Sequence, residues 1–193
     1  MLIRPHILTI MTDRYSFTSA PRPRLRELGL VQDVAQRVTF IVVAVVLINL
    51  ITMRYRVEGP SMQPTLDDGQ ILVLNRLAYM FGPPSRGDIT VVHLASLSAD
   101  DLIKRIVGLP GETIEIRDNQ VSINGTPLET PWGQDCGDCS PGVWRLGPKE
   151  YFLLGDHRAA SRDSRAFGPV PSSALIGKVM WRYWPLTQFG PVS

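Results

Sequence analysis

The sequence predicts a mainly β protein, an antiparallel fold of short strands preceded by one N-terminal transmembrane helix. Three observations carry this expectation. A run of 16 residues without a charge, Val38–Met53, stands near the N-terminus. Beyond it, short segments alternate apolar and polar positions with the period of a half-buried strand. The 16 Gly and 16 Pro among 193 residues cluster between those segments, where they mark turns.

The elements follow in order. Residues 1–37 carry six Arg against three acidic side chains and read as a partly disordered N-terminal segment. Within it Pro21-Arg22-Pro23-Arg24 reads as an extended linker, and Met11 is an alternative start. Val38–Met53 (VTFIVVAVVLINLITM) is bracketed by Arg37 and Arg54. As a helix it would span about 24 Å at ~1.5 Å per residue, slightly less than the hydrocarbon core, and the flanking Arg side chains can snorkel. A buried core helix and a cleavable signal peptide are the competing readings. The following Arg54-Tyr55-Arg56-Val57-Glu58 offers none of the small residues that a cleavage site needs. Residues 38–53 are therefore expected to be a retained signal anchor. The basic cluster before it places 1–37 in the cytoplasm and 54–193 outside; the cell membrane is expected, and a thylakoid membrane is also compatible.

In residues 54–193 the strands are expected at Gln70–Leu74, Ile89–Leu94, Leu102–Val107, Thr113–Arg117, Gln120–Asn124, Tyr151–Leu154 and Ile176–Tyr183. Asp118-Asn119 is read as a hairpin turn and Asn124-Gly125 as the next turn. Strands of this length and spacing point to an antiparallel barrel or sandwich. The body holds 14 basic and 15 acidic groups, which excludes a nucleic-acid binder by charge. Two Cys exclude a disulfide scaffold.

Three segments could carry chemistry. In Glu58-Gly-Pro-Ser61-Met-Gln-Pro-Thr65-Leu, Gly59-Pro60 makes a turn that could present the Ser61 hydroxyl; an ordinary serine in a turn is the alternative. In Leu102-Ile103-Lys104-Arg105-Ile106-Val107, alternation sets Lys104 on a face with Leu102 and Ile106. Burial there would lower its pKa and make it a general base toward serine, whereas a sheet edge would leave it solvated. The third, Gly155 to Gly168, combines turn glycines with alternating charges; Asp163 and Arg165 could pair and fix the loop, leaving Ser161 to bond a neighbour. A solvated charged loop is its plain reading. Only three Lys occur against 17 Arg, a hint that a lysine serves where an always-protonated arginine could not. His93 or His157, oriented by Asp88 or Asp156, is the rival base, although no G-x-S-x-G elbow is present. Cys136-Gly-Asp-Cys139 has C-x-x-C spacing; a local loop staple is favoured over half a zinc site, free thiols or a thioredoxin-like activity.

These segments together resemble type I signal peptidases of the bacterial and organellar kind. The resemblance runs through Gly-Pro-Ser61-Met62-Gln-Pro64-Thr65-Leu66, Arg86-Gly87-Asp88-Ile89, Lys104 to Glu112, Gly155-Asp156-His-Arg158, Ser161, Asp163-Ser164-Arg165, Gly168 and the tail from Gly177-Lys178 to Leu186. It implies a serine endopeptidase that removes signal peptides after small residues at −1 and −3, with Ser61 as nucleophile and Lys104 as general base. Ser161 would orient the lysine, and Asp163 and Arg165 would hold that loop. The Ser61 backbone N–H would serve the oxyanion, and Val57, Met62, Leu66 and Ile103 would line the substrate pocket. Preproteins and the lipid bilayer are the implied partners, with no metal, no cofactor and no nucleic acid; the oligomeric state is not given. Two departures stand out. Gly59 occupies a position where some members have an oxyanion-serving serine, and His157 stands where Asn is usual. A self-cleaving repressor would share the Ser–Lys pair but carry a DNA-binding domain in place of the anchor. A peptidase dedicated to one exported substrate and an inactive membrane-tethered binding module remain as further readings.

Overall fold

A computed structural model describes residues 24–95, 100–132 and 139–192. The alternative start at Met11, most of the proposed linker and Cys136 lie outside the described residues. Helix α1 runs Arg24–Ile51, so it begins well before the uncharged run at Val38. The intervening Leu, Glu, Val, Gln and Ala residues are ordinary helix formers, and charge had hidden their continuity with the apolar stretch. Within α1, Gly29–Ile51 is long and apolar enough to cross a membrane. Those 23 residues would extend about 34 Å, enough to span a ~30 Å hydrocarbon core. Their apolar side chains are uncovered, with Phe40 74% and Leu50 66% exposed.

The remainder is antiparallel β. Strand β1 (Thr52–Arg56) begins at the residue after α1 ends, so Thr52 and Met53 belong to a strand and not to the helix. It is followed by β2 (Ile71–Asn75), β3 (Ile89–Val92), β4 (Leu102–Gly108), β5 (Thr113–Arg117), β6 (Gln120–Ile123) and β7 (Thr126–Pro127). Then come β8 (Gly142–Arg145), β9 (Glu150–Leu154), β10 (Val170–Pro171), β11 (Leu175–Trp184) and β12 (Gly190–Pro191). One sheet has the order β1-β2-β11-β3-β4-β9-β10 with β12 on β11; the other has the order β7-β6-β5-β8. Each path runs from edge to edge, so the large sheet is open and not the closed barrel that the strand spacing allowed. Both expected turns form. Asp118 and Asn119 have φ of 49° and 61°, and Asn124 and Gly125 have φ of 51° and 80°, the left-handed pairs that match a two-residue hairpin.

Strand β4 joins the apolar interior together. Val107 belongs to a cluster with Ile114, Val121 and Phe152. Ile106 belongs to a second with Val92, Tyr151 and Leu153. Ile103 packs against a third, which contains Val57, Met62, Leu66, Leu72 and Val91. Burial on both faces explains why Lys104-Arg105-Ile106-Val107-Gly108 is buried without a break, where a strand on a one-sided sheet would alternate. The β9 partner of β4 begins only at Arg105, opposite Leu154, whereas β3 pairs from Leu102 onward. Among the described residues, Leu102–Lys104 thus keep one free strand edge.

The tightest point of this junction is Gly108. A Cβ there would lie 2.7 Å from Leu146 Cδ1 and from Phe152 Cβ, and 2.8 Å from Ile114 Cδ1. Gly108→Ala is expected to destabilise the fold by about 1–3 kcal/mol through overpacking. Urea unfolding of the detergent-solubilised chain, followed by near-UV circular dichroism, should show a lower midpoint with an unchanged slope; an unchanged midpoint would contradict the packing described.

Candidate active site

Ser61 lies in a loop that is closed at its base and pinned underneath. Val57 N–H donates to Gln70 O at 2.8 Å and Gly69 N–H donates to Val57 O at 2.9 Å, so residues 57 and 69–70 form the neck. Gly59 adopts φ +83°, a conformation that favours glycine, and its N–H donates to Asp68 Oδ1 at 2.8 Å. Gln63 N–H donates to Pro60 O at 3.0 Å and closes the turn around Ser61. Met62 and Leu66 are buried in the apolar cluster below. The Ser61 carbonyl accepts from His157 N–H at 3.1 Å, which ties the loop to the segment after β9.

Lys104 reaches this loop from β4. Its Nζ lies 2.9 Å from Ser61 Oγ and donates to Ile103 O, also at 2.9 Å. Only 3% of Lys104 is exposed. Burial pushes its pKa below the ordinary lysine value, against the opposing charges of Asp163 and Asp156. Side-chain burial decides between the two readings of this lysine: although its strand has a free edge at this point among the described residues, the ammonium is desolvated.

The two carboxylates that would otherwise hold Lys104 charged are each occupied by an arginine. Asp156 takes Arg105 in a two-pronged pair, Nε to Oδ1 at 2.8 Å and Nη2 to Oδ2 at 2.7 Å, with both side chains at most 3% exposed. Arg105 Nη1 also donates to Gly87 O at 2.8 Å, and its guanidinium stacks 5.0 Å from the Trp132 ring centre. Thr65 Oγ1 donates to Asp156 Oδ2 at 2.6 Å. Asp163, fully buried, accepts from Arg165 Nε at 2.7 Å, from Arg165 Nη2 at 2.9 Å and from Gly155 N–H at 3.0 Å. Arg165 Nη2 also donates to Ser161 O at 3.1 Å. The expected ion pair between Asp163 and Arg165 is therefore present and fixes the loop that carries Ser161. Ser161 Oγ is buried and has no hydrogen-bond partner among the described residues. It presses on Gly155, where a Cβ would meet Ser161 Oγ at 2.3 Å and Ser61 O at 2.5 Å.

A cleft of about 670 Å³ opens in front of the pair, lined by Ser61, Lys104, Val57, Met62 and Ile103 together with Tyr55, His93 and Asp101. Three of the four expected pocket residues thus border it. Leu66 does not; it is fully buried in the cluster that Met62 also joins. The rival histidines have other partners. His93 Nδ1 pairs with Asp101 Oδ1 at 2.7 Å, not with Asp88 or Asp156. Asp88 pairs with Lys178 at 2.6 Å. His157 offers Ser61 its backbone N–H. Cys139 is disulfide-bonded, and its Sγ accepts from Arg165 Nη1 at 2.6 Å.

Sequence reasoning missed the Arg105–Asp156–Thr65 lock and the Tyr55–Asp101–His93 group. The first joins residues 40 to 91 positions apart, and no local pattern announces such pairing. Its available signal was the presence of Arg105 and Asp156 in the segments already singled out.

A family model described as signal peptidase, peptidase S26, matches residues 30–184. Signal peptidase I of Bacillus caldolyticus is 40% identical over 149 residues, covering 70% of this chain and 81% of that protein. Signal peptidase IB of Staphylococcus aureus is 32% identical over 159 residues, covering 73% and 82%. Signal peptidase I of Leptolyngbya laminosa is 36% identical over 141 residues, covering 69% and 70%. With the greater part of its length matched in this way, the chain belongs to the signal peptidase family of serine peptidases, peptidase S26.

Proposed function

We propose that the chain is a membrane-anchored endopeptidase that removes signal peptides from exported preproteins, with Ser61 as nucleophile and Lys104 as general base. The observation that carries this reading is the 2.9 Å contact between Lys104 Nζ and Ser61 Oγ at a buried lysine. A lysine base must be neutral to accept a proton, and desolvation favours the neutral amine.

In the proposed reaction neutral Lys104 takes the Ser61 hydroxyl proton as Oγ attacks the carbonyl carbon of the −1 residue. The tetrahedral oxyanion is stabilised by the Ser61 backbone N–H and a second donor; Gly59 has no side chain to supply it. Lys104, now an ammonium, returns the proton to the leaving amine as the peptide C–N bond breaks, and the mature protein departs. Lys104 then takes a proton from water as its oxygen attacks the acyl carbon, and returns that proton to Ser61 Oγ as the ester C–O bond breaks, which releases the signal peptide and restores the hydroxyl and the neutral amine. The Ser161 hydroxyl, which the family resemblance would have orient the lysine, bonds neither Lys104 nor any other described residue in this structure, so that role requires it to turn toward Lys104; Asp163 and Arg165 hold its loop.

The preprotein is bound as an added strand. The free edge of Leu102–Lys104 faces the same cleft as Val57 and Glu58, and unpaired strand edges recruit extended peptides. Alternate side chains of such a strand would fall toward Val57, Met62 and Ile103, a space suited to small residues at −1 and −3. The apolar helix holds the enzyme in the bilayer, and the Arg-rich segment before it keeps the N-terminus cytoplasmic and the β domain extracytoplasmic.

Ser61→Ala and Lys104→Ala are each expected to lower kcat for preprotein cleavage by at least about 10⁴-fold with the fold retained. Lys104→Arg should be as inactive as alanine, because guanidinium does not give up its proton; an active arginine variant would rule out the general-base role. The cleavage rate should rise with pH as Lys104 loses its proton, with the rise centred below the ordinary lysine value of 10.5. A rate that falls across that interval would contradict the sign. Gly155→Ala, which touches no reacting atom, should lower kcat by about 10²-fold by displacing Ser61 and Ser161; assay beside a denaturation curve separates this from loss of fold.

A further inference from the structure

Two of the polar contacts that cross the cleft stand apart from each other, and peptide hydrolysis explains only the first. At the first, Lys104 meets Ser61. At the second, Tyr55 Oη of β1 donates to Asp101 Oδ2 at 2.9 Å. The other oxygen of that carboxylate holds His93 Nδ1 at 2.7 Å. Asp101 directly precedes β4 and His93 directly follows β3, so the β3–β4 register sets them side by side. Asp101 stands three residues before Lys104, about 10 Å along an extended chain. Tyr55, His93 and Asp101 all line the same cleft as Ser61.

The chemistry of this second group is that of a recognition site. Burial and the adjacent Asp101 carboxylate push the Tyr55 phenol up to about 12, so it remains a donor to Asp101. With Asp101 as acceptor, His93 contributes the Nδ1 proton of that contact. The His93 side chain is 49% exposed and that of Asp101 26%, which is far more than a structural crossing needs. Of the other ionisable residues in the lining, Arg56 and Lys104 are basic and Glu58 and Asp100 are acidic, and the proposed reaction needs Lys104 neutral. The surroundings therefore favour hydrogen-bond donors and positive charge and disfavour carboxylates.

We propose that Tyr55, His93 and Asp101 form a specificity subsite for preprotein side chains about three residues before −1, at −4 and −5, selecting polar donors or basic groups over acidic ones. This rests on the proposed peptidase reading, because it measures position along a strand bound between Ser61 and the free edge of β4. Tyr55 follows the end of α1 by four residues and Ser61 by ten.

The test uses the detergent-solubilised full chain and a set of preproteins identical except for Ala, Ser, Lys or Asp at −4 and −5. The readout is the ratio of kcat/KM for Lys against Asp, which is independent of the amount of folded enzyme. The unaltered enzyme should favour Lys over Asp by about tenfold, and Ser should rank above Asp. Asp101→Asn and His93→Ala should bring the Lys-to-Asp ratio to within about twofold of unity. Tyr55→Phe, which keeps the ring and removes only the hydrogen bond, should give an intermediate ratio. A ratio near unity in the unaltered enzyme, or one that survives all three substitutions, overturns the subsite while leaving the peptidase reading in place. Failure of the unaltered enzyme to cleave any member of the set, including the alanine one, overturns the peptidase reading itself.

Discussion

The constraint on which the site depends is that a lysine is buried beside two carboxylates without forming an ion pair with either. Asp156 and Asp163 both act on Lys104 to keep it charged. An undivided attraction of that kind would hold the ammonium firmly charged. Two arginines divert it. Arg105 takes both oxygens of Asp156, and Arg165 takes both oxygens of Asp163. Guanidinium suits this task because it is always protonated and matches a carboxylate with two parallel donors. Lys104 is left with Ser61 Oγ and one backbone carbonyl, and desolvation prevails. The marked preference of the chain for Arg over Lys acquires a local meaning here, since neighbouring residues of β4 meet opposite electrostatic ends.

The same two ion pairs also fix Ser61 and Lys104 relative to each other. Asp156 links β4, through Arg105, to Thr65 in the loop that carries Ser61. Asp163 links the Gly155 backbone to the Ser161 loop through Arg165. Gly155 lies between Ser161 and the carbonyl of Ser61, so the two loops approach as closely as the absence of a side chain permits. Each buried charge in the lock has several partners, which is the condition under which such a charge can be kept without a heavy penalty.

Much of this was legible in the residues, and what was not has identifiable causes. Period-two alternation is plain in β2 and β5, where buried and half-buried positions take turns, and the hairpin turns carry Asn and Gly where left-handed backbone is needed. Strand β1 was missed because it follows the apolar helix without a break, and β8 because GVWR is too short to show a period. Helix α1 extended further than its uncharged core, since helix formation does not require the absence of charge. Lys104 and Ser61 stood out through chemistry and family resemblance, but the placement of Leu66 in the core and of Asp101 beside His93 depends on how distant strands meet. Tyr55 sits on β1 and Asp101 directly precedes β4, strands that are separated by three others in the sheet order, so only the curl of the folded sheet brings them into contact.

The lock has a further consequence in time. Ser61 and Lys104 are 43 residues apart, Arg105 and Asp156 are 51 apart, and Thr65 and Asp156 are 91 apart. Closures over such distances are entropically costly and form late in folding. Under the proposed mechanism, a chain with its early hairpins made but β9 not yet docked would have a serine and a solvated, protonated lysine, and hence no working nucleophile. A nascent molecule would be inert toward other exported chains until its last long-range contacts formed, a latency enforced by topology.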